Sequence, residues 1–221
     1  NKMEKYLEIL KTVSLFKDIE KSEIQSLLSC LSAVIINYDK KQAVFLEGES
    51  VDKVGIVLSG QVQVVKEDFY GNRNIVAVLN EGKLFGETFV CSDIKTLSVS
   101  VFCVTESVIM FIDYRKLITT CSNACSFHNK LILNMLRIVA NKNLLLNQKI
   151  EFTSKRTTRE KLLAYLSAEA KKAGSSSFSI PMNRQELADY LSVERSAMSA
   201  ELSKLRDDKV LRFNKNNFTL I

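Results

Sequence analysis

Between Val34 and Ile112 the apolar residues recur at every second position in eight short runs: VIINY, AVFLEGE, VGIVLSG, VQVVKEDFYGN, NIVAVLNEG, KLFGE, LSVSVFCVTES and VIMFI. A period of two puts alternate side chains on opposite faces of an extended strand, and runs spaced roughly 8 to 12 residues apart specify an antiparallel sandwich or barrel. Gly48, Gly60, Gly71 and Gly82 fall between the runs, where turns want positive φ. The expectation is an antiparallel jelly roll ending near Ile112. Ahead of it, Leu7, Leu10 and Ser14, then Ile24, Leu27, Leu28 and Leu31, have helical spacing, so small helices are predicted over 3–16 and 21–31.

At the other end of the chain the period changes. The stretch from Asn183 to Arg206, NRQELADYLSVERSAMSAELSKLR, reads as two short helices. Asn183 can cap the first and Glu186 can close the box back onto it, while Leu187, Ala188 and Leu191 form its buried face. The turn falls near Ser192 and Val193. In the second helix Met198, Leu202 and Leu205 share one face, which leaves Arg195, Ser196, Ser199, Ala200 and Lys204 outward. This is the layout of a helix-turn-helix, and small Ala188 lets the helices cross closely. Arg195 suits a bidentate contact to guanine, Ser196 and Ser199 are smaller donors, and Lys204 suits phosphate. Arg184 and Gln185 at the start of the first helix and Lys215 beyond the second complete the candidate DNA face. The plainer alternative for this pattern is a helical hairpin with a solvated polar face.

Val210 to Phe213, the polar tetrad Asn214 to Asn217, and Phe218 to Ile221 then predict two strands around a turn. A wing directly after a helix-turn-helix is more specific than either part alone. From Glu151 onward there are 13 Lys and Arg against 9 Asp and Glu, whereas the first 150 residues carry 18 against 16. The C-terminal third is therefore mildly the more basic, as a nucleic-acid binder should be. Within it, Thr153 to Lys172 reads as a hinge and a first helix burying Leu162, Leu163 and Leu166, with Lys155, Arg156 and Arg159 either reaching phosphate or forming a solvated basic face. Gly174 to Ser177 reads as a flexible turn, and Pro181 ends a short strand.

Between the two ends, Ile132, Leu136, Val139, Asn143, Leu146 and Ile150 alternate steps of four and three, the seam of a two-stranded coil in which Asn143 fixes register. Leu131, Met135, Ile138 and Leu145 form a second stripe, expected to face the chain's own roll. Two apolar stripes on one helix call for two partners, against the alternative of a single buried helix in a monomer.

A jelly roll with LFGE, a long helix and NRQELADYLSVERSAMS in a winged helix-turn-helix resembles the cyclic-AMP receptor and fumarate-nitrate regulator (CRP/FNR) family of bacterial transcription factors. The resemblance covers almost the whole chain. It implies an α+β fold: an N-terminal β-roll (jelly roll) sensing an effector over 1–120, a dimerisation helix over 121–152, and a winged helix-turn-helix over 153–221. It also implies a homodimer on a palindromic site in double-stranded DNA, a small-molecule effector, RNA polymerase as a further partner, and a population shift between states that do and do not fit DNA. In the family an Arg commonly stands at the position of Ala200 and a Glu at that of Ser196.

The effector pocket carried over from the family comprises Gly86, Glu87, Thr88, Leu97, Ser98, Leu146 and Asn147. Cyclic-AMP sensors carry an Arg-Ser pair whose Arg meets the phosphate, and here the pair is Leu97 and Ser98. Leucine cannot pair a buried phosphate. The expected effector is therefore something other than cyclic AMP, or none. Iron-sulfur sensors of the family need an N-terminal cysteine cluster, and the only cysteine before residue 90 is Cys30, so no iron-sulfur cluster is expected.

Cys121, Cys125 and His128 stand at i, i+4 and i+7, a spacing open to a metal or haem. No fourth ligand is evident, and the simpler expectation is two cysteines packed at a helix junction with His128 solvated or capping. Cys91 and Cys103 read as core filler. Metal-dependent jelly-roll enzymes need several converging histidines, and this chain has one, so no enzyme is expected. The odd cysteine count and the lack of a long uncharged apolar stretch fit a cytoplasmic protein with no membrane association. A different function class stays open: a signal-binding module whose DNA domain is degenerate and which acts through a protein partner. Sequence preference on duplex DNA separates the two.

Overall fold

The computed structural model describes residues 4–71, 73–94, 96–118 and 126–221. They fall into two compact units, Asn1–Ala140 and Asn141–Ile221.

In the first unit, α1 (Leu7–Thr12) and α2 (Lys21–Cys30) precede eight strands, β1 (Val34–Tyr38), β2 (Ala43–Phe45), β3 (Lys53–Ser59), β4 (Val62–Glu67), β5 (Arg73–Leu79), β6 (Leu84–Phe85), β7 (Ser100–Cys103) and β8 (Ser107–Asp113). The single turn α3 (Glu87–Val90) interrupts them and α4 (Tyr114–Ile118) follows. Two four-stranded antiparallel sheets, ordered β1-β8-β3-β6 and β2-β7-β4-β5, make the expected roll. Its interior holds Val57, Val62, Phe85, Val101, Ile109 and Phe111. Phe45 and Phe111 meet with ring centroids 5.6 Å apart. Gly55 lies directly beneath the Phe85 ring, where a Cβ would collide, so the small residue is a packing requirement. All four turn glycines anticipated from the sequence, Gly48, Gly60, Gly71 and Gly82, have positive φ.

Burial of β3 and β8 on both faces explains their unbroken apolar runs. The outer face is covered by Leu7, Leu10, Leu15, Phe16, Ile24, Leu27 and Leu31 from the N-terminal helices. The same cluster takes Leu131 and Met135 from α5 (Ser126–Thr153). Asn134, buried beside them, donates from Nδ2 to the carbonyls of Leu15 at 3.0 Å and Lys17 at 2.8 Å. Polar satisfaction as well as apolar contact thus fixes this part of α5.

Leu145, expected to continue the roll-facing stripe, is instead 62% exposed. The packed stripe stops at Ile138, and the unit ends two residues later. Of the two roles expected for His128, solvated or capping, it takes the second and is buried. Its Nε2 lies 3.0 Å from the Lys116 carbonyl, so the ring N–H ties the first turn of α5 to α4. Cys121 and Cys125 lie outside the described residues. Cys103 is buried in the roll as anticipated, whereas Cys91 is exposed.

In the second unit the last turns of α5 join α6 (Thr158–Ala173), β9 (Ser177–Ser179), α7 (Arg184–Leu191), α8 (Arg195–Asp207), β10 (Leu211–Asn214) and β11 (Asn217–Leu220). Leu162, Leu166, Leu187, Ala188, Leu191, Met198, Leu202, Leu205, Leu211 and Phe218 are its buried core. Leu163, expected inside, is half-buried. Phe152 of α5 packs edge-on against Tyr165 of α6 and tilted against Tyr190 of α7, at 5.7 and 6.4 Å.

Candidate nucleic-acid interface

Helices α7 and α8 are each set by specific contacts within the fold. Asn183 accepts from the Glu186 backbone N–H at 3.0 Å while Glu186 accepts from that of Asn183 at 2.7 Å, the reciprocal cap foreseen from the sequence. The turn rests on Ser192 at φ 52°, and the Val193 N–H closes back onto the Ala188 carbonyl at 3.0 Å. Lys161 of α6 places its ammonium 3.3 Å from the carbonyls of Leu191 and Ser192. A cation at the carbonyl end of α7 is electrostatically favourable.

Helix α8 buries Met198, Leu202 and Leu205 and exposes Arg195, Ser196, Ser199, Ala200 and Lys204. Its position is held from behind by Arg159, whose Nη1 donates to Glu201 at 3.3 Å and to Asp208 at 2.9 Å. Those carboxylates raise the Arg159 pKa, chiefly through the Asp208 hydrogen bond. Arg159, read from sequence as a phosphate contact or solvated cation, is thus engaged within the fold.

The wing is a three-stranded sheet ordered β10-β11-β9, with Phe213 opposite Phe218 and Asn214 opposite Asn217. The strands run one residue further into the polar tetrad than the sequence suggested, because Asn214 and Asn217 pair. That leaves only Lys215 and Asn216 in the turn. Arg184 joins wing to helix: its Nη2 donates to the Lys215 carbonyl at 3.0 Å, and its guanidinium lies 5.0 Å from the Phe213 centroid and 5.1 Å from that of Phe218. Burial lowers its pKa from the ordinary value, yet a guanidinium stays charged.

One concave face is lined by Asn183, Arg184, Gln185, Arg195, Lys215, Asn216 and Asn217. It gathers four of the eight candidate DNA residues from three separate elements. Gln185 spends one amide N–H on Asp189 at 2.8 Å, and Lys204 stands 3.9 Å from Glu201. Sequence reasoning did not mark Phe213 and Phe218, whose rings seat Arg184; the alternation of aromatic and polar residues in the wing was the available signal.

The effector residues are arranged otherwise. Gly86 has φ 84°, and a Cβ there would sit 3.2 Å from the Lys53 carbonyl. Glu87 is buried, with Oε1 accepting from Thr88 Oγ1 at 3.2 Å. Ser98 is exposed, but Leu97 is a core residue packed with the roll's main cluster. Leu146 and Asn147 belong to the second unit and are exposed.

Residues 35–124 match the cyclic nucleotide-binding domain and residues 160–221 match the Crp-like helix-turn-helix domain. This chain belongs to the CRP/FNR family. The CRP-like cAMP-activated global transcriptional regulator of Mycobacterium tuberculosis is 31% identical over 80 residues, a span of 36% of this chain and only 35% of that relative. Among solved structures, the catabolite activator protein of Thermus thermophilus shares the fold at 20% identity and TM-score 0.51, covering 94% of this chain and 93% of that one. The c-di-GMP responsive global regulator CLP of Xanthomonas campestris does so at 20% identity and TM-score 0.54, covering 91% and 99%. No helix among the described residues is long and apolar enough to cross a membrane.

Proposed function

We propose that the chain is a dimeric, sequence-specific DNA-binding transcription regulator. The observation that carries this reading is the concave face where Arg195, Gln185 and Lys215 converge on a helix pair whose first member is capped and whose second is braced. The first turn of α8 enters the major groove, where Arg195 reads guanine and Ser196, Ser199 and Ala200 line the base edges. Lys204 and Lys215 take phosphates. Arg184 orients the wing tip through the Lys215 carbonyl while adding positive potential.

Dimerisation is supported by the stripe left open on α5. Leu136, Leu146 and Ile150 are each 60% exposed or more, Val139 is also exposed, and Asn143 stands among them at the coil's register position. A contiguous apolar face of this kind is rare on a lone soluble chain. Ile132, at the start of the stripe, is half-buried. The mutation Leu146→Lys is expected to shift the protein toward monomer in sedimentation equilibrium; an unchanged dimer would remove the stripe from the interface.

The roll is the sensing part, and its signal shifts the population toward the DNA-competent state. Two relatives carry a cyclic nucleotide in their names, as cAMP-activated and c-di-GMP responsive. In this chain Leu97 gives cyclic AMP no cation for its phosphate, which favours another effector. The reading that the DNA domain is degenerate draws on Ala200 and Ser196, positions where the family commonly carries Arg and Glu.

Fluorescence anisotropy on a duplex selected in vitro, against a scrambled duplex at fixed salt, tests the proposal. Saturable preference for the selected duplex is expected. No preference, with or without cyclic nucleotides, would favour the degenerate domain.

A further inference from the structure

The wing carries a second cationic face that groove reading leaves idle. Arg206 in the last turn of α8, Lys209 just beyond it and Arg212 on β10 line a cleft with Phe213 and Ile221. All three cations are exposed. Of the adjacent carboxylates, Asp208 is held by Arg159, and Asp207 accepts from Arg206 Nε at 3.1 Å in an exposed pair worth little. Lys209 sits at φ 59° directly after the helix cap, a position where glycine is the easier residue. Lys215 sits at φ 52° in the wing turn. A lysine therefore occupies a left-handed position at each end of β10.

The two faces adjoin through one ring. Phe213 carries the Arg184 guanidinium at 5.0 Å on the concave side and that of Arg206 at 5.9 Å in the cleft. β10 is also the edge strand of its sheet. Converging like charges raise the cost of the free state and attract a polyanion. Continuity with the reading face favours a nucleic-acid backbone over an acidic protein.

We infer that Arg206, Lys209 and Arg212 form a phosphate clamp that grips the duplex flanking the base pairs read by α8. This rests on the DNA-binding reading above. The clamp supplies affinity and salt dependence without sequence preference.

The test is anisotropy of the full chain between 50 and 200 mM salt on selected and scrambled duplexes. It compares wild type, Arg206→Gln/Lys209→Gln/Arg212→Gln, the single Arg212→Gln, and Arg195→Ala. At about 0.9 per phosphate contact, the slope of log K against log salt should shallow by about 2.7 in the triple variant and about 0.9 in the single one. Both duplexes should lose affinity alike, so the preference ratio stays at the wild-type value. Trimming the flanks should weaken wild type but not the triple variant. Unchanged slopes with preference intact would overturn the clamp and point to an acidic protein surface as its occupant. Loss of preference in the triple variant would overturn it as well, by placing this face in base reading. Failure of wild type to bind either duplex, with or without cyclic nucleotides, would remove the DNA reading and the clamp together.

Discussion

The helix-wing face and the Gly86–Ser98 segment of the roll are both candidate sites for a phosphate-bearing partner, and the two differ in where charge stands. At the wing, Arg195 and Lys215 are exposed on a concave surface, on elements braced by Arg159 and Arg184. In the roll, Leu97, which the resemblance aligns with the cation of cyclic-AMP sensors, is 3% exposed and packed in the main cluster. A DNA-reading face can tolerate substitution because solvent surrounds it. A buried phosphate site cannot, because an unpaired charge there has nowhere to go. The first region therefore keeps its cations at the surface, and the second places a leucine in the core.

The sharpest way to break that contrast is Leu97→Arg. Burying an uncompensated charge should cost roughly 3 to 5 kcal/mol and lower the melting temperature. Cyclic AMP should leave wild-type melting unchanged. If it instead restored the variant, the pocket would be one charge short rather than rebuilt as core. Next in size is Leu202→Ala beneath the reading face, expected to cost about 3 kcal/mol in denaturant unfolding. A much smaller loss would mean that the core under α8 is loosely packed and the face less rigid than its hydrogen bonds suggest. Arg195→Ala should cost about 1 to 3 kcal/mol on a selected duplex and flatten preference at one base pair. An equal loss on scrambled DNA would make Arg195 a phosphate contact only. Smallest is Asn183→Ala, which removes a reciprocal cap and should cost about 1 kcal/mol of stability.

The same contrast governs what could be read before any coordinates. Strand runs, turn glycines and the Asn183–Glu186 cap were legible because each depends on residues close in sequence. The face that α8 exposes was legible from the spacing of Met198, Leu202 and Leu205. The engagement of Arg159 with Glu201 and Asp208 was not, since 42 and 49 residues separate the partners and no local pattern announces such a pair. The exposure of Leu145 escaped for a related reason. Helical periodicity gives the direction of a stripe but not the residue at which its covering ends. Burial of His128 likewise depends on the Lys116 carbonyl, a partner without a side-chain signature.

Arg159 has one more consequence, in entropy rather than contact. By meeting α8 near its middle and just past its end, it restrains the helix from which Arg195 projects. A partner docking on that helix then has less freedom left to freeze, so more of each contact is retained as affinity.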